Sequence, residues 1–95
     1  MAFYVYILAS AKNGTLYTGM TENLIQRVWM HKNETLPGFT RQYGVKTSVW
    51  YEQHETREAA LTRERQMKRW KRVWKLEAIE RMNAPWADLY ESLSL

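Results

Sequence analysis

The chain contains no cysteine, which excludes disulfides and thiolate metal sites and leaves packing to hold the fold together. It has no run of about 18 apolar residues and no charged-then-apolar leader at its start. The expectation is a soluble, cytoplasmic protein with no membrane contact. No internal repeat, low-complexity tract or linker appears, so the 95 residues read as one domain (1–95) with room for a single modest core. Zinc is disfavoured too, because only His31 and His54 remain among its usual nitrogen and sulfur ligands. What the chain does have is ring volume. Five Trp and six Tyr can fill a core, and they also suit stacking on nucleic-acid bases.

The run Phe3-Tyr4-Val5-Tyr6-Ile7-Leu8 is aromatic and β-branched and predicts a strand. Ser10-Ala11-Lys12-Asn13-Gly14 follows, and an Asn-Gly pair tolerates the positive φ of a tight hairpin turn. Thr15-Leu16-Tyr17-Thr18-Gly19-Met20 is then the return strand. Pairing the two strands brings the rings of Tyr4, Tyr6 and Tyr17 together, with Tyr4 and Tyr6 on one face by the period of two. Gly19 is expected to end the run where the chain turns into a helix, and its missing Cβ lets a ligand approach the backbone.

Either Thr21 or Asn23 can cap that helix. Within it, Leu24, Arg27, Val28 and His31 share a face by the helical period. An arginine and a histidine beside the apolar stripe conflict with simple patterning, and such conflicts tend to mark functional sites. The competing reading makes Arg27 a snorkelling edge residue and His31 a solvated helix end. The segment from Asn33 to Gly44 is rich in turn residues and reads as a loop with a short helical turn beside the site. Val45 to Gln53 predicts a third strand. Thr56 caps a helix from Arg57 to about Trp70, and a second helical segment runs from about Val73 to Met82, with Pro85 soon after as a stop. The tail Trp86-Ala87-Asp88-Leu89-Tyr90 is apolar enough to dock on the body.

The net charge of +4 is modest, but its distribution is not even. Arg63, Arg65, Lys68, Arg69, Lys71, Arg72 and Lys75 are interleaved with Trp70 and Trp74. Clustered cations with aromatics suit a phosphate backbone, through counterion release and base stacking; the alternative is an ordinary solvated helix face. One acid, Glu64, lies inside the cluster. Its helical neighbours Ala60, Leu61 and Met67 are apolar, so its carboxylate must be paired, hydrated or bound to a cation. Pairing with Lys68 at i,i+4 accounts for the spacing. A hard divalent cation also fits, since Mg²⁺ commonly takes one or two carboxylates, waters and substrate phosphate.

The order Tyr4-Val5-Tyr6, then Tyr17-Thr18-Gly19, then Arg27 and His31, then Glu64 resembles the GIY-YIG nuclease superfamily. It is most similar to the small stand-alone members, the URI-domain or UvrC-like predicted endonucleases, and the resemblance extends through Asn83 to Leu89. Each motif alone is weak, while their order and spacing together are specific. The resemblance implies an α+β fold, a three-stranded antiparallel sheet flanked by helices. It also implies endonucleolytic hydrolysis of phosphodiester bonds in DNA with Mg²⁺ (or Mn²⁺), on branched, damaged or single-stranded structures. By that analogy Glu64 holds the single metal and Arg27 neutralises charge on the phosphoryl oxygens. Tyr17 or Tyr6 positions or deprotonates the attacking water, with Gly19 structural beside them. A tyrosine base needs nearby cations to lower a pKa of about 10, and His31, which titrates near neutrality, is the competing base. Lys68, Lys71, Arg72 and Lys75 are the candidate phosphate contacts. These groups are expected to line or border one concave surface.

Three departures from the family pattern bear on this. Tyr4 stands where the first tripeptide has glycine, and Thr18 replaces isoleucine in the second, though each tripeptide retains its reacting tyrosine. Met20 stands where some relatives place a lysine, which removes a cation that could depress the Tyr17 pKa and favours His31 as base. With no second domain in the sequence, target choice must come from the basic helix, from a protein partner or attached specificity factor, or from nothing. The alternatives to an enzyme are a nucleic-acid-binding module without turnover and a protein-interaction domain with docking Trp residues.

Overall fold

The aromatic, β-branched run near the N-terminus becomes the central strand of a three-stranded antiparallel sheet. In order, β1 (Phe3–Ala9) pairs with β2 (Leu16–Thr21) on one side and β3 (Thr47–His54) on the other. The computed structural model describes residues 2–35 and 37–93. Leu36, part of the segment read as a loop, lies outside the described residues. Helices α1 (Leu24–Lys32), α2 (Phe39–Gln42), α3 (Arg57–Lys68), α4 (Arg72–Met82) and α5 (Tyr90–Leu93) complete the described elements. The sheet with flanking helices is the α+β architecture that the sequence predicts.

Alternation along β1 divides the apolar side chains between two layers. Val5, Ile7 and Ala9 pack with Val49 and Trp50 of β3, Ala60 and Met67 of α3, Ile79 of α4, and Trp86. On the other face Tyr6 and Leu8 pack with Leu24 and Val28 of α1 and with Val45. Helices α1 and α3 therefore lie on opposite faces of the sheet. The pairing of β1 with β3 slips between Ile7 and Leu8, which face Trp50 and Ser48. The extra residue lets Val49 and Trp50 both join the α3-side cluster.

Local signals fix the element ends. In the hairpin turn the left-handed residue is Asn13, at φ 60°. Of the two candidate caps of α1, Asn23 is used: its side-chain oxygen accepts from Gln26 N at 3.1 Å. Thr21 ends β2 and accepts from Asn23 N at 3.1 Å. Thr56 caps α3 by accepting from Ala59 N at 3.1 Å. Gly19 does not end the return strand, which continues to Thr21 because Tyr4 still pairs there. The tail docks as expected. Leu89 N donates to Ser48 O at 2.8 Å, and Asp88 accepts from Ser48 N and pairs with Lys32. These bonds cover part of the free edge of β3, which would otherwise offer unpaired backbone groups. No helix among the described residues is long and apolar enough to cross a membrane.

Candidate active site

Opposite Tyr6 on the neighbouring strand stands Gly19. A Cβ on Gly19 would lie 2.5 Å from the Tyr6 hydroxyl and 2.6 Å from Cζ. The glycine is thus required by close approach: the Tyr6 ring lies across β2 and carries its hydroxyl toward the outer edge of the sheet. The space foreseen for a ligand over Gly19 is filled by this ring.

The Tyr6 hydroxyl is held there by His31, whose Nε2 lies 3.2 Å away. His31 is not a solvated helix end. It is 5% exposed, and its Nδ1 lies 3.0 Å from Thr40 Oγ1. Thr40 is delivered by α2, which starts after Gly38 at φ 111°, a backbone conformation that favours glycine. Tyr17 is half-buried on the same face. Its ring centroid is 5.5 Å from that of His31 and 6.4 Å from that of Tyr6. The expected meeting of Tyr6, Tyr17 and His31 is therefore present, with Thr40 added. Nothing in the sequence marked Thr40 beyond its place after a Pro-Gly turn.

Arg27 on α1 and Glu64 on α3 are carried on opposite sides of the sheet. Arg27 projects from α1, half-buried, with no ion pair among the described residues. It lines a groove at the outer edge of β2 with Met20, Gln26 and the Glu22–Arg57 pair, whose charges are 3.5 Å apart. Glu64 sits on α3, with its side chain 17% exposed and Lys68 Nζ 3.5 Å from Oε2. Burial raises the Tyr6 phenol pKa far above its ordinary value, the neighbouring Tyr17 adds to the rise, Arg27 opposes it and Glu64 reinforces it. The His31 pKa is lowered, first by burial and then by the Arg27 cation, so a neutral imidazole is favoured. Arg27 comes from the α1 face and Glu64 from the α3 face, so the groups expected on one concave surface do not share one face of the sheet.

The basic segment divides into cations that are structurally engaged and cations that are crowded together. Arg63 donates to both carboxylate oxygens of Glu52, at 2.9 and 3.3 Å, and stacks on Trp70. Arg72 donates to the turn carbonyls of Asn13 and Gly14 at 2.7 and 2.6 Å, tying α4 to the hairpin. Lys75 has its pKa lowered by burial and by the neighbouring cations Arg72 and Lys68. Lys71 lies over the ring of Trp74. A patch of like charge therefore runs from Lys68, beside Glu64, toward the hairpin.

Across this fold and this set of residues, the profile of the GIY-YIG catalytic domain matches residues 2–77. The chain belongs to the GIY-YIG family. It is 40% identical over 76 residues to a UPF0213 protein of Clostridium perfringens, covering 80% of this chain and 81% of that one. To a UPF0213 protein of Staphylococcus saprophyticus it is 33% identical over 76 residues, covering 80% and 92%. The solution structure of a UPF0213 protein from Bacillus halodurans matches with a TM-score of 0.57 at 28% identity, over 93% of each chain. In this chain the tripeptides Tyr4-Val5-Tyr6 and Tyr17-Thr18-Gly19 lie on β1 and β2, with Tyr6 facing Gly19 across the ladder. Membership of the GIY-YIG family supports a nuclease-type function, with nucleic acid as the implied substrate. Nucleases of the family generally use divalent metal ions.

Proposed function

We propose that this chain is a metal-dependent endonuclease that hydrolyses phosphodiester bonds in DNA, with its reaction centre at the outer rim of β2. One observation carries the reading. Tyr6 and Tyr17 meet a buried His31, whose Nε2 lies 3.2 Å from the Tyr6 hydroxyl, on the face of the sheet where α1 carries an Arg27 that has no ion pair among the described residues. Here the complementary anion is a phosphate, which the guanidinium fork fits well.

The residues present fit a hard divalent ion. Glu64 is one carboxylate with one lysine neighbour, and no group of three His, Cys, Asp or Glu side chains suited to a metal occurs among the described residues. That donor set is too sparse for a zinc or calcium cage, but it suits Mg²⁺ or Mn²⁺, which keep waters and take substrate phosphate. Glu64 would hold the ion, which supplies positive charge to polarise the phosphate and stabilise the leaving oxygen.

The chain's own groups account for the proton. A neutral imidazole has one donor and one acceptor nitrogen. With Nδ1–H donating to Thr40 Oγ1, the Nε2 of His31 accepts from the Tyr6 O–H. The Tyr6 hydroxyl then passes its proton to Nε2 as it takes one from water, so the phenol never carries the full negative charge that its burial opposes. His31 is thus the proton acceptor acting through Tyr6, and Tyr17 positions the water. Arg27 meets the charge that builds on the phosphoryl oxygens. Lys68, Lys71 and Lys75, with Arg72 at the hairpin, hold the backbone of the nucleic acid.

The test is incubation of the purified protein with single-stranded, duplex and branched DNA and with RNA, in EDTA and with added Mg²⁺ or Mn²⁺. Internal cleavage of DNA that requires the divalent ion is expected. Binding without cleavage of any substrate by folded protein contradicts the reading.

A further inference from the structure

The ring of Tyr17 is the inner end of a line of aromatics that leaves the site. Phe39 lies 6.3 Å from Tyr17 with the ring planes 29° apart, and Tyr43 lies 4.8 Å from Phe39. Neither outer ring belongs to the core: Phe39 is 46% exposed and Tyr43 52%. Both are carried by α2 and its C-terminal cap, and between them Thr40 is buried against His31. A second tie, Val45 N donating to Thr40 O at 2.9 Å, fixes the same turn. Arg41, exposed on this turn, places a cation between the two rings in sequence. The reaction centre's own histidine thus anchors the element that offers two open rings and a cation to solvent.

We propose that Phe39 and Tyr43 form a stacking platform for unpaired nucleobases next to the scissile phosphate, which selects substrates that are single-stranded or locally unpaired there. The location relative to the scissile bond rests on the nuclease reading. The chemistry follows from the rings: every base has a π face, but in a duplex both faces are covered by neighbouring pairs. Only an unpaired base can lay a face on Phe39 or Tyr43. Continuity through Tyr17 puts such a base beside the phosphate that Arg27 neutralises, and Arg41 suits the adjoining backbone. An apolar protein segment is less well matched, because the line of rings runs into a site built from Arg27, His31 and Tyr17.

The test is fluorescence anisotropy in EDTA, where no turnover occurs, at one fixed salt concentration. The probes are a single-stranded deoxyoligonucleotide, its ribonucleotide counterpart, the deoxy strand with abasic central positions, and the duplex. Wild type is compared with Phe39→Ala/Tyr43→Ala and with Phe39→Trp, each shown to be folded by its melting curve. The double variant should lose roughly tenfold or more in affinity for a base-bearing single strand, deoxy or ribo, the scale of base–aromatic stacking. Its affinity for the abasic strand and the duplex should barely change, and Phe39→Trp should keep wild-type binding. Equal loss on base-bearing and abasic strands, or no loss on either, overturns the platform. Failure of the nuclease reading shows separately: base-dependent binding without cleavage sinks that reading alone, and divalent-dependent cleavage with base-independent binding sinks the platform alone.

Discussion

The phenol of Tyr6 occupies the place where a side chain at residue 19 would lie, with its hydroxyl 2.5 Å from the position of a Cβ on Gly19. The ring cannot swing aside, since it is 2% exposed and its hydroxyl is bonded to His31. Gly19→Ala should therefore overpack the sheet and cost about 1–3 kcal/mol. For a domain of this size each kcal/mol lowers Tm by about 4–8 °C. Differential scanning calorimetry checks this. Repeating the substitution in a Tyr6→Leu background should remove most of the penalty, because the two positions are directly coupled.

The lowered His31 pKa makes stability depend on pH with a definite sign. The unfolded histidine titrates near 6.5 and the folded one lower, so between those values the unfolded chain binds more protons. The stabilisation is complete above about 6.5 and is lost as pH falls through that value toward the folded pKa. Tm should drop between pH 7 and pH 5. His31→Gln should flatten that dependence, while lowering Tm at pH 7 through the lost Tyr6 and Thr40 bonds. An equal slope in both proteins would show that another group governs acid sensitivity.

The crowding of Lys68, Arg72 and Lys75 predicts a surface that gains from anions. Replacing Lys68, Lys71 and Lys75 together by Gln should weaken binding to all sequences about equally, since phosphate contacts position without specifying. The slope of log K against log salt should become shallower by about 2–3, close to one unit per lysine. An unchanged slope in a salt titration places the nucleic acid on another surface.

Features carried by neighbouring residues were legible in the sequence. The Asn13-Gly14 turn, the Thr56 cap and the alternation that puts Tyr6 and Val5 in different layers each depend on a few adjacent positions. Tyr6, Tyr17 and His31 could be brought together because hairpin and helix periodicity act over short distances. Thr40 could not be foreseen, because its bond to His31 crosses a loop whose path has no periodicity. The fates of Arg63 and Arg72 were hidden for the same reason. Their partners, Glu52 and the Asn13–Gly14 carbonyls, are set by how α3 and α4 cross the sheet. The arrival of Arg27 and Glu64 from opposite faces depends on β2 being the edge strand, which only the sheet order decides. Gly19 was read as open space because a missing Cβ looks the same in sequence whether a ligand or a neighbouring ring fills it.

A metal held by one carboxylate should bind weakly until a phosphate completes its shell. Isothermal titration of Mn²⁺ into the free protein should give weak or undetectable binding. Adding a non-cleavable phosphorothioate oligonucleotide should tighten it, and the gain should be absent in Glu64→Gln. Tight binding to free protein would mean that a fuller ligand set exists.

The central claim is that Glu64 serves cleavage rather than a surface pair with Lys68. Glu64→Gln keeps size and helical propensity while deleting the charge, so the most direct measurement compares cleavage and binding by wild type and this variant, with melting curves for both. If Glu64 did no more than pair with Lys68 at i,i+4, its loss would change stability by about 0.2–0.5 kcal/mol and leave cleavage alone. The account predicts cleavage reduced by about a thousandfold or more, the scale of losing a charge-stabilising group at the reacting phosphate. Affinity should be equal or higher, because the carboxylate beside the basic patch has gone. Equal cleavage by two folded proteins would contradict the account.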